Sequence, residues 1–448
     1  MPDSSVAALF KAYDVRGVAL RELTPEIAHR IGRALVTYLN ADRVCVGRDM
    51  RVSSPELASA LIDGALQQGA DVTDIGLIST DGLYFAVGQH DFPAGVMVTA
   101  SHNPGEYNGF KMCRAGAQAL SMDHGIGEIR ELVLANAFPN PPRRGVRTER
   151  DVSAAFVEHA LSLVDLDLIQ PLKIAIDAGN GMAGMIMPLV FERLPCELVP
   201  LYFELDGSFP NHEANPIEPQ NIKDLQAAVL TQGADLGIAF DGDADRMFML
   251  DERAQFVGGD MVTAMVAQAL LARHPGAAVV YNLICSRTVP EVITAAGGRP
   301  IRSRVGHSFI KALMREHDAV FGGEHSGHFY FRDNWYADSG LIAFLSMLEL
   351  LSVANIPLSR YLAPIDTRFR SGELNTDVAD IPTTLERVRA QFAAADIDEL
   401  DGLTVAYASW WFNLRASNTQ PLLRLNVEAD SAEELRRRTD DVLRLIAG

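Results

Sequence analysis

The chain is expected to fold as three related α/β units with mixed sheets, followed by a smaller α+β unit. Strand-like runs alternate with amphipathic helical patterns through most of its length, the signature of α/β architecture. Gly-rich turns recur where strands hand over to helices, which points to related units, although no strict repeat is present. From about Ile365 the texture changes to aromatic and β-branched runs closed by one amphipathic helix. The 448 residues leave room for several domains. We place the boundaries at 1–145, 146–254, 255–364 and 365–448.

In the first unit, Val44-Cys45-Val46-Gly47 reads as a strand. A helix is expected from Ser54 to Gln68, with Ser54 as N-cap and Pro55 at the first helical position. Asp71 to Ile75 and Gly95 to Thr99 supply further strands, and Pro139 to Gly145 is the clearest linker. The second unit carries strands at Lys173–Asp177, Leu236–Phe240 and Met247–Leu250. Gly179-Asn180-Gly181 between them reads as a tight turn, since the dinucleotide-binding glycine pattern is incomplete. The third holds the strand Ala278–Tyr281, the short strand Ala319-Val320-Phe321 and a helix after Gly340. In the last, Leu403–Tyr407, Trp410–Leu414 and Leu422–Val427 predict a mainly antiparallel sheet, and Ser431-Ala432-Glu433-Glu434 opens the closing helix as a capping box.

Composition excludes several functions. The formal charge of −19 argues against nonspecific binding to nucleic acid or anionic membrane, though not against a local basic cleft for an anionic substrate. The four cysteines are widely separated and form no Cys-x-x-Cys pair, so free thiols in a reducing compartment are expected. The N-terminus lacks a secretory pattern, and Ala343 to Ile356 is too short and too interrupted to span a membrane. A cytoplasmic protein is expected. The sequence leaves the oligomeric state open, with a monomer as the starting expectation.

Two loops carry the strongest chemistry. Thr99-Ala100-Ser101-His102-Asn103-Pro104 closes a buried strand and places a serine where open α/β sheets bind ligands. The Ser101 hydroxyl needs activation, or must already carry a group, to take part in transfer. Asp241-Gly242-Asp243-Ala244-Asp245-Arg246 ends a second strand, and three carboxylates so close repel one another unless a cation lies between them. An EF-hand has a similar opening, with Glu252 at the twelfth position, but Arg246 stands where that loop needs glycine and the flanks read as strands. A strand-end Mg²⁺ site is the better reading. Serine and metal together suggest phosphoryl chemistry.

Three further segments are weaker alone. Gly322-Gly323-Glu324-His325-Ser326-Gly327-His328 offers groups suited to sugar hydroxyls or is a polar turn. Arg415-Ala416-Ser417-Asn418-Thr419-Gln420-Pro421 suits phosphate oxygens or is a hairpin loop. Arg16, Lys111 and His307 are single residues of the kind usually found solvated.

Taken together, these segments resemble the α-D-phosphohexomutase family, and its bacterial phosphomannomutase/phosphoglucomutase group in particular, over nearly the whole chain. The resemblance rests on four loops in the family's order: serine, aspartate, Gly-Glu-x-Ser-Gly-His and Arg-x-Ser-Asn-Thr. It implies four domains around a central cleft, each contributing one loop. It implies that Ser101 carries the phosphoryl group, and that Asp241, Asp243 and Asp245 hold one Mg²⁺ together with a phosphoserine oxygen. Glu324 and Ser326 would grip the sugar, with His328 in the same loop. Arg415, Ser417, Asn418 and Thr419 would anchor the phosphate that is not reacting. Arg16, Lys111, Arg246 and His307 would surround the transferring group or assist proton transfer. The implied activity interconverts hexose 1-phosphate and hexose 6-phosphate through a hexose 1,6-bisphosphate, which serves as activator and intermediate. The Ser417-Asn418-Thr419 core fits the mannose/glucose group better than the phosphoglucosamine mutases, which usually carry Ser-Gly-Thr. A phosphoglucosamine mutase is the alternative enzyme; a phosphoserine phosphohydrolase and a sugar-phosphate-binding protein are alternatives of other classes.

Overall fold

The computed structural model describes residues 3–417 and 422–447. Four sheets succeed one another along the chain. In the first, the strands run Val15–Val18, Tyr107–Arg114, Ala94–Val98, Arg43–Arg48, Asp71–Leu77 and Arg147–Glu149 across the sheet, with Gln118–Ala119 beside Tyr107–Arg114. The last four of that order are mutually parallel, whereas Tyr107–Arg114 is antiparallel to both its neighbours.

The second and third sheets repeat this plan. Leu236–Phe240 lies parallel to Lys173–Asp177 and antiparallel to Met247–Leu250. Phe321–Gly323 lies parallel to Ala278–Asn282 and antiparallel to Phe329–Phe331. In each unit a parallel strand therefore turns back through a loop into an antiparallel partner. Those three turns are the serine loop, the aspartate loop and the Glu324 loop. The fourth sheet, running from Phe369–Asp377 to Asp396–Asp398, is entirely antiparallel.

Burial explains the strand sequences. Ala94–Val98 and Leu236–Phe240 are buried at every position, which suits parallel strands covered on both faces. One hydrophobic cluster runs through the first three units, joining Phe85, Phe156, Phe240, Phe321 and Phe344. The fourth unit has its own core around Val405, Phe412, Leu425 and Val442. The apolar helix Gly340–Ala354 is buried almost all round, and among the described residues no helix is long and apolar enough to cross a membrane.

The helix expected from Ser54 spans Ser54–Gln67, but Ser54 is not its cap. The cap position is Ser53, without a side-chain bond, while Ser54 Oγ donates to Asp49 Oδ1 at 2.5 Å. A buried carboxylate has outcompeted the helix end for that hydroxyl. Ser431 does cap the final helix, accepting from the Glu434 N–H at 3.2 Å. The Gly179-Asn180 turn takes left-handed backbone, φ 54° and 57°, as a tight turn requires. All four cysteines are unpaired.

Candidate active site

The site begins with the strand Ala94–Val98, which delivers Ser101 into a left-handed turn at φ 53°. That conformation is costly for a residue other than glycine and is held by surrounding bonds. Thr99 Oγ1 accepts from the Ser101 N–H at 2.9 Å, and Arg16 Nη1 donates to the Ala100 carbonyl at 3.2 Å. The hydroxyl of Ser101 then reaches out of its own unit: Oγ donates to Asp241 Oδ2 at 2.7 Å. His102 Nδ1 stands 3.2 Å from the same oxygen. The aspartate loop approaches closely because residue 242 is glycine; a Cβ there would lie 2.5 Å from the Ser101 carbonyl oxygen.

Asp241, Asp243 and Asp245 are all fully buried. Their carboxylates offer oxygens within 4.8 Å of one another. Arg246 Nε donates to Asp241 Oδ2 at 2.8 Å. Lys111 Nζ donates to Asp243 Oδ2 at 2.7 Å and also to Asp245 Oδ2. Thr80 Oγ1 adds a bond of 2.5 Å to Asp243 Oδ2. Burial works against the Lys111 ammonium, but Asp243 and Asp245 outweigh it and raise its pKa. Burial, followed by the charge of Asp243, pushes Asp245 up. Asp243 Oδ1 and Asp245 Oδ1 are buried with no hydrogen-bond partner. Hard, anionic oxygens converging with two unsatisfied positions fit a divalent cation such as Mg²⁺. The flanks of this loop are antiparallel strands, and Glu252 bonds Ser359 instead of facing the aspartates, so the EF-hand reading is excluded.

The third unit closes the opposite wall. Arg246 and His328 form an antiparallel backbone bridge, which joins the aspartate loop to the Glu324 loop. Glu324 is buried, accepting from Asn282 Nδ2 at 3.1 Å and from the Tyr330 hydroxyl. Ser326 is half-buried in the same turn. His328 Nδ1 pairs with Asp338 Oδ2 at 3.1 Å and lies 3.9 Å from Asp245 Oδ1. Burial disfavours the His328 imidazolium, yet Asp245 and Asp338 prevail and raise its pKa. His307 behaves oppositely: burial, aided by Lys311, pushes it down to about 3, so it is neutral at physiological pH. It starts the helix His307–His317 and meets Tyr13 edge-on, ring centroids 4.7 Å apart.

These groups surround a cavity of about 130 Å³ whose wall includes Arg16, Ser101, Lys111, His307 and His328. It opens beside a larger hollow of about 690 Å³ that shares Tyr13, Asp14, Arg16 and His102. The fourth unit approaches from outside. Asp401 Oδ2 accepts from the Val305 N–H at 3.0 Å, two residues before His307. Arg415 is the last residue but one of the strand Trp410–Ala416, and its guanidinium pairs with Glu373 at 2.5 Å while Nε stays buried without a hydrogen-bond partner. Arg424 pairs with Glu373 at 3.1 Å and bonds Ser417 Oγ at 3.3 Å. Asn418 and Thr419 lie outside the described residues.

The structure thus brings together Ser101, Lys111, Arg16, the three aspartates, Arg246, His307 and His328, with Glu324 joined to them through its loop. Sequence reasoning missed Thr80, His102, Lys311, Asp338 and Arg424. Of these only His102, next to the serine, carried a local signal.

Fold and site define a four-unit protein in which a serine loop meets an acidic loop whose oxygens suit a metal ion. Comparison with known proteins agrees. Families described as phosphoglucomutase/phosphomannomutase α/β/α domains I, II and III match residues 7–140, 154–258 and 258–367, and the C-terminal domain of the same family matches residues 373–445. The chain belongs to the phosphoglucomutase/phosphomannomutase family. It is 42% identical to a phosphomannomutase of Escherichia coli, with 98% of each chain covered. It is also 42% identical to a protein of Xanthomonas campestris pv. campestris named for phosphohexose mutases, over 98% of this chain and 99% of that one. A crystal structure of a phosphoglucomutase/phosphomannomutase family protein from Burkholderia thailandensis superposes with a TM-score of 0.90 at 36% identity, covering 98% of this chain and 97% of that one.

Proposed function

We propose that this chain is a Mg²⁺-dependent phosphomannomutase that also accepts glucose phosphates, working through a phosphoserine at Ser101 in the cytoplasm. The observation that carries this reading is the contact of Ser101 Oγ with Asp241 Oδ2, 2.7 Å long, beside two unsatisfied carboxylate oxygens. Asp241, Asp243 and Asp245 would hold the ion, which would neutralise charge on the serine-borne phosphoryl group.

Phosphoryl transfer depends mainly on alignment and charge stabilisation. Lys111, Arg246 and Arg16 supply fixed positive charge around the serine. Asp338 orients His328, leaving its Nε2 to take the proton from the attacking sugar hydroxyl and to return it in the second transfer. Neutral His307 and Tyr13 shape the wall of the cavity. Glu324 and Ser326 would bind sugar hydroxyls, and Arg415, Ser417, Asn418 and Thr419 would hold the distant phosphate. That remote grip orients the reacting hydroxyl. Ser101 first gives its phosphoryl group to the hexose phosphate, forming the 1,6-bisphosphate. After the bisphosphate turns over, Ser101 takes back the other phosphoryl group.

The test combines intact mass with isomerisation of mannose, glucose and glucosamine phosphates. Wild-type protein should carry one phosphoryl group and turn over mannose 1-phosphate. Ser101→Ala should lose the added mass and at least ~10³-fold in kcat. Full turnover by Ser101→Ala, or a preference for glucosamine phosphate, refutes the assignment.

A further inference from the structure

Beneath the serine loop lies Arg51, a fully buried arginine that no step above uses. It is held in the segment linking the strand Arg43–Arg48 to the helix Ser54–Gln67. Its Nη2 donates to the carbonyls of Ser101 at 2.7 Å and Asn103 at 2.6 Å. Its Nη1 donates to the carbonyls of Pro104 at 2.8 Å and Tyr107 at 3.0 Å. Its Nε donates to Asp49 Oδ2 at 3.2 Å. A guanidinium has five N–H donors in a rigid plane, and here each has an acceptor. The ring of Phe209, from the second unit, lies 5.1 Å from the guanidinium carbon. The Arg51 backbone is crowded as well, since a Cβ on Gly207 would come 2.4 Å from its Cα.

We propose that Arg51 is a positioning residue for phosphoryl transfer: its fork fixes the carbonyl of Ser101 and those of the residues that follow it in the loop, and so aims Oγ at the aspartate loop. This rests on the reading of Ser101 as the phosphoryl carrier. The carbonyl of Ser101 itself is one of the four that are clamped. Rotation of that peptide would change the direction of the side chain at φ 53°. A lysine would keep the charge but could present at most three donors from one nitrogen, with no planar fork. Phe209 ties the same guanidinium to the second unit, so the clamp sets the serine against the carboxylates that unit supplies.

The test compares Arg51→Lys and Phe209→Leu with wild type and Ser101→Ala. Measured are kcat and KM for mannose 1-phosphate, Ser101 phosphorylation by glucose 1,6-bisphosphate from intact mass, and folding by circular dichroism. Arg51→Lys should lose about 10²-fold or more in kcat with KM changed less than about threefold, because the distant phosphate grip is untouched. Its rate of Ser101 phosphorylation should fall in step. Phe209→Leu, which leaves all five donors in place, should lose kcat in the same direction by about threefold to tenfold. If Arg51→Lys does not fold, Phe209→Leu alone decides. Unchanged kcat in the folded variants, or a loss expressed in KM, overturns the positioning role while phosphorylation of wild type still upholds Ser101. Wild-type protein that never gains a phosphoryl group, or an active Ser101→Ala, removes the underlying reading instead.

Discussion

Ser101 Oγ donates to Asp241 Oδ2 at 2.7 Å although the two residues are 140 positions apart in the chain. The contact crosses from the first unit to the second, so it exists only when both units are docked. Asp243, two residues on, has a buried oxygen with no partner. Asp243→Asn keeps the shape but removes one anionic ligand. We expect it to lower kcat by at least ~10²-fold at saturating Mg²⁺ and to raise the Mg²⁺ concentration needed for half-maximal activity. A metal titration of the isomerisation rate measures both, and an unchanged titration would place the ion elsewhere.

Lys111 is the ammonium that keeps this acidic loop tolerable before any ion binds, since it bonds both Asp243 and Asp245. Removing one partner of a buried ion pair leaves charge uncompensated, at a cost of about 3–5 kcal/mol. Lys111→Met should therefore lower the thermal unfolding temperature of metal-free protein. Added Mg²⁺ should recover part of the loss, because a cation can neutralise the same carboxylates. Calorimetry with and without the metal checks this; an undiminished unfolding temperature in the metal-free variant contradicts it.

Much of this arrangement was readable in the chain because the serine, aspartate and Glu324 loops are each the return of a parallel strand into an antiparallel one. The strands Leu236–Phe240 and Met247–Leu250 announce themselves by continuous apolar character and Lys173–Asp177 by its apolar centre, and the polar turns stand out between them. Arg51, Lys311 and Asp338 did not stand out, although all are buried. Their importance comes from partners far away in sequence, such as the Lys311–Asp338 pair at 2.5 Å, which steadies the acceptor of His328. A buried charge looks the same in a sequence as a solvated one. The Ser54 hydroxyl was misread for a related reason: local capping rules do not register a carboxylate brought in from the preceding strand end.

Arg415 can be changed without dismantling its surroundings, because Glu373 keeps a second partner in Arg424 at 3.1 Å. If its guanidinium binds the distant phosphate, Arg415→Lys loses a two-pronged contact and keeps the charge. KM for mannose 1-phosphate should rise by about tenfold or more while Ser101 phosphorylation from bulk wild-type levels changes little. Steady-state kinetics together with intact mass separate the two effects. A fall in phosphoserine content with unaltered KM would assign Arg415 to the reacting end instead.

His212 makes the stability of the second unit sensitive to pH. Its Nε2 lies 3.0 Å from Asp177 Oδ2 and its Nδ1 lies 2.9 Å from the Glu213 carbonyl. Both partners are acceptors, so both ring nitrogens must carry protons for the two bonds to coexist. Burial disfavours that charged ring, but the bond to Asp177 prevails and raises the pKa above its ordinary value. A raised folded-state pKa means that this stabilisation is fully present below the unfolded value of about 6.5 and is lost as pH rises through the higher folded value. The segment concerned also carries Phe209, against which the Arg51 guanidinium packs. Wild-type protein should accordingly lose stability across that window, and His212→Gln should be less stable at low pH but flatter in its pH dependence. Urea unfolding followed from pH 5.5 to 8.5 distinguishes the two chains; parallel curves would show that His212 has the same pKa in the folded and unfolded protein and contributes no pH dependence.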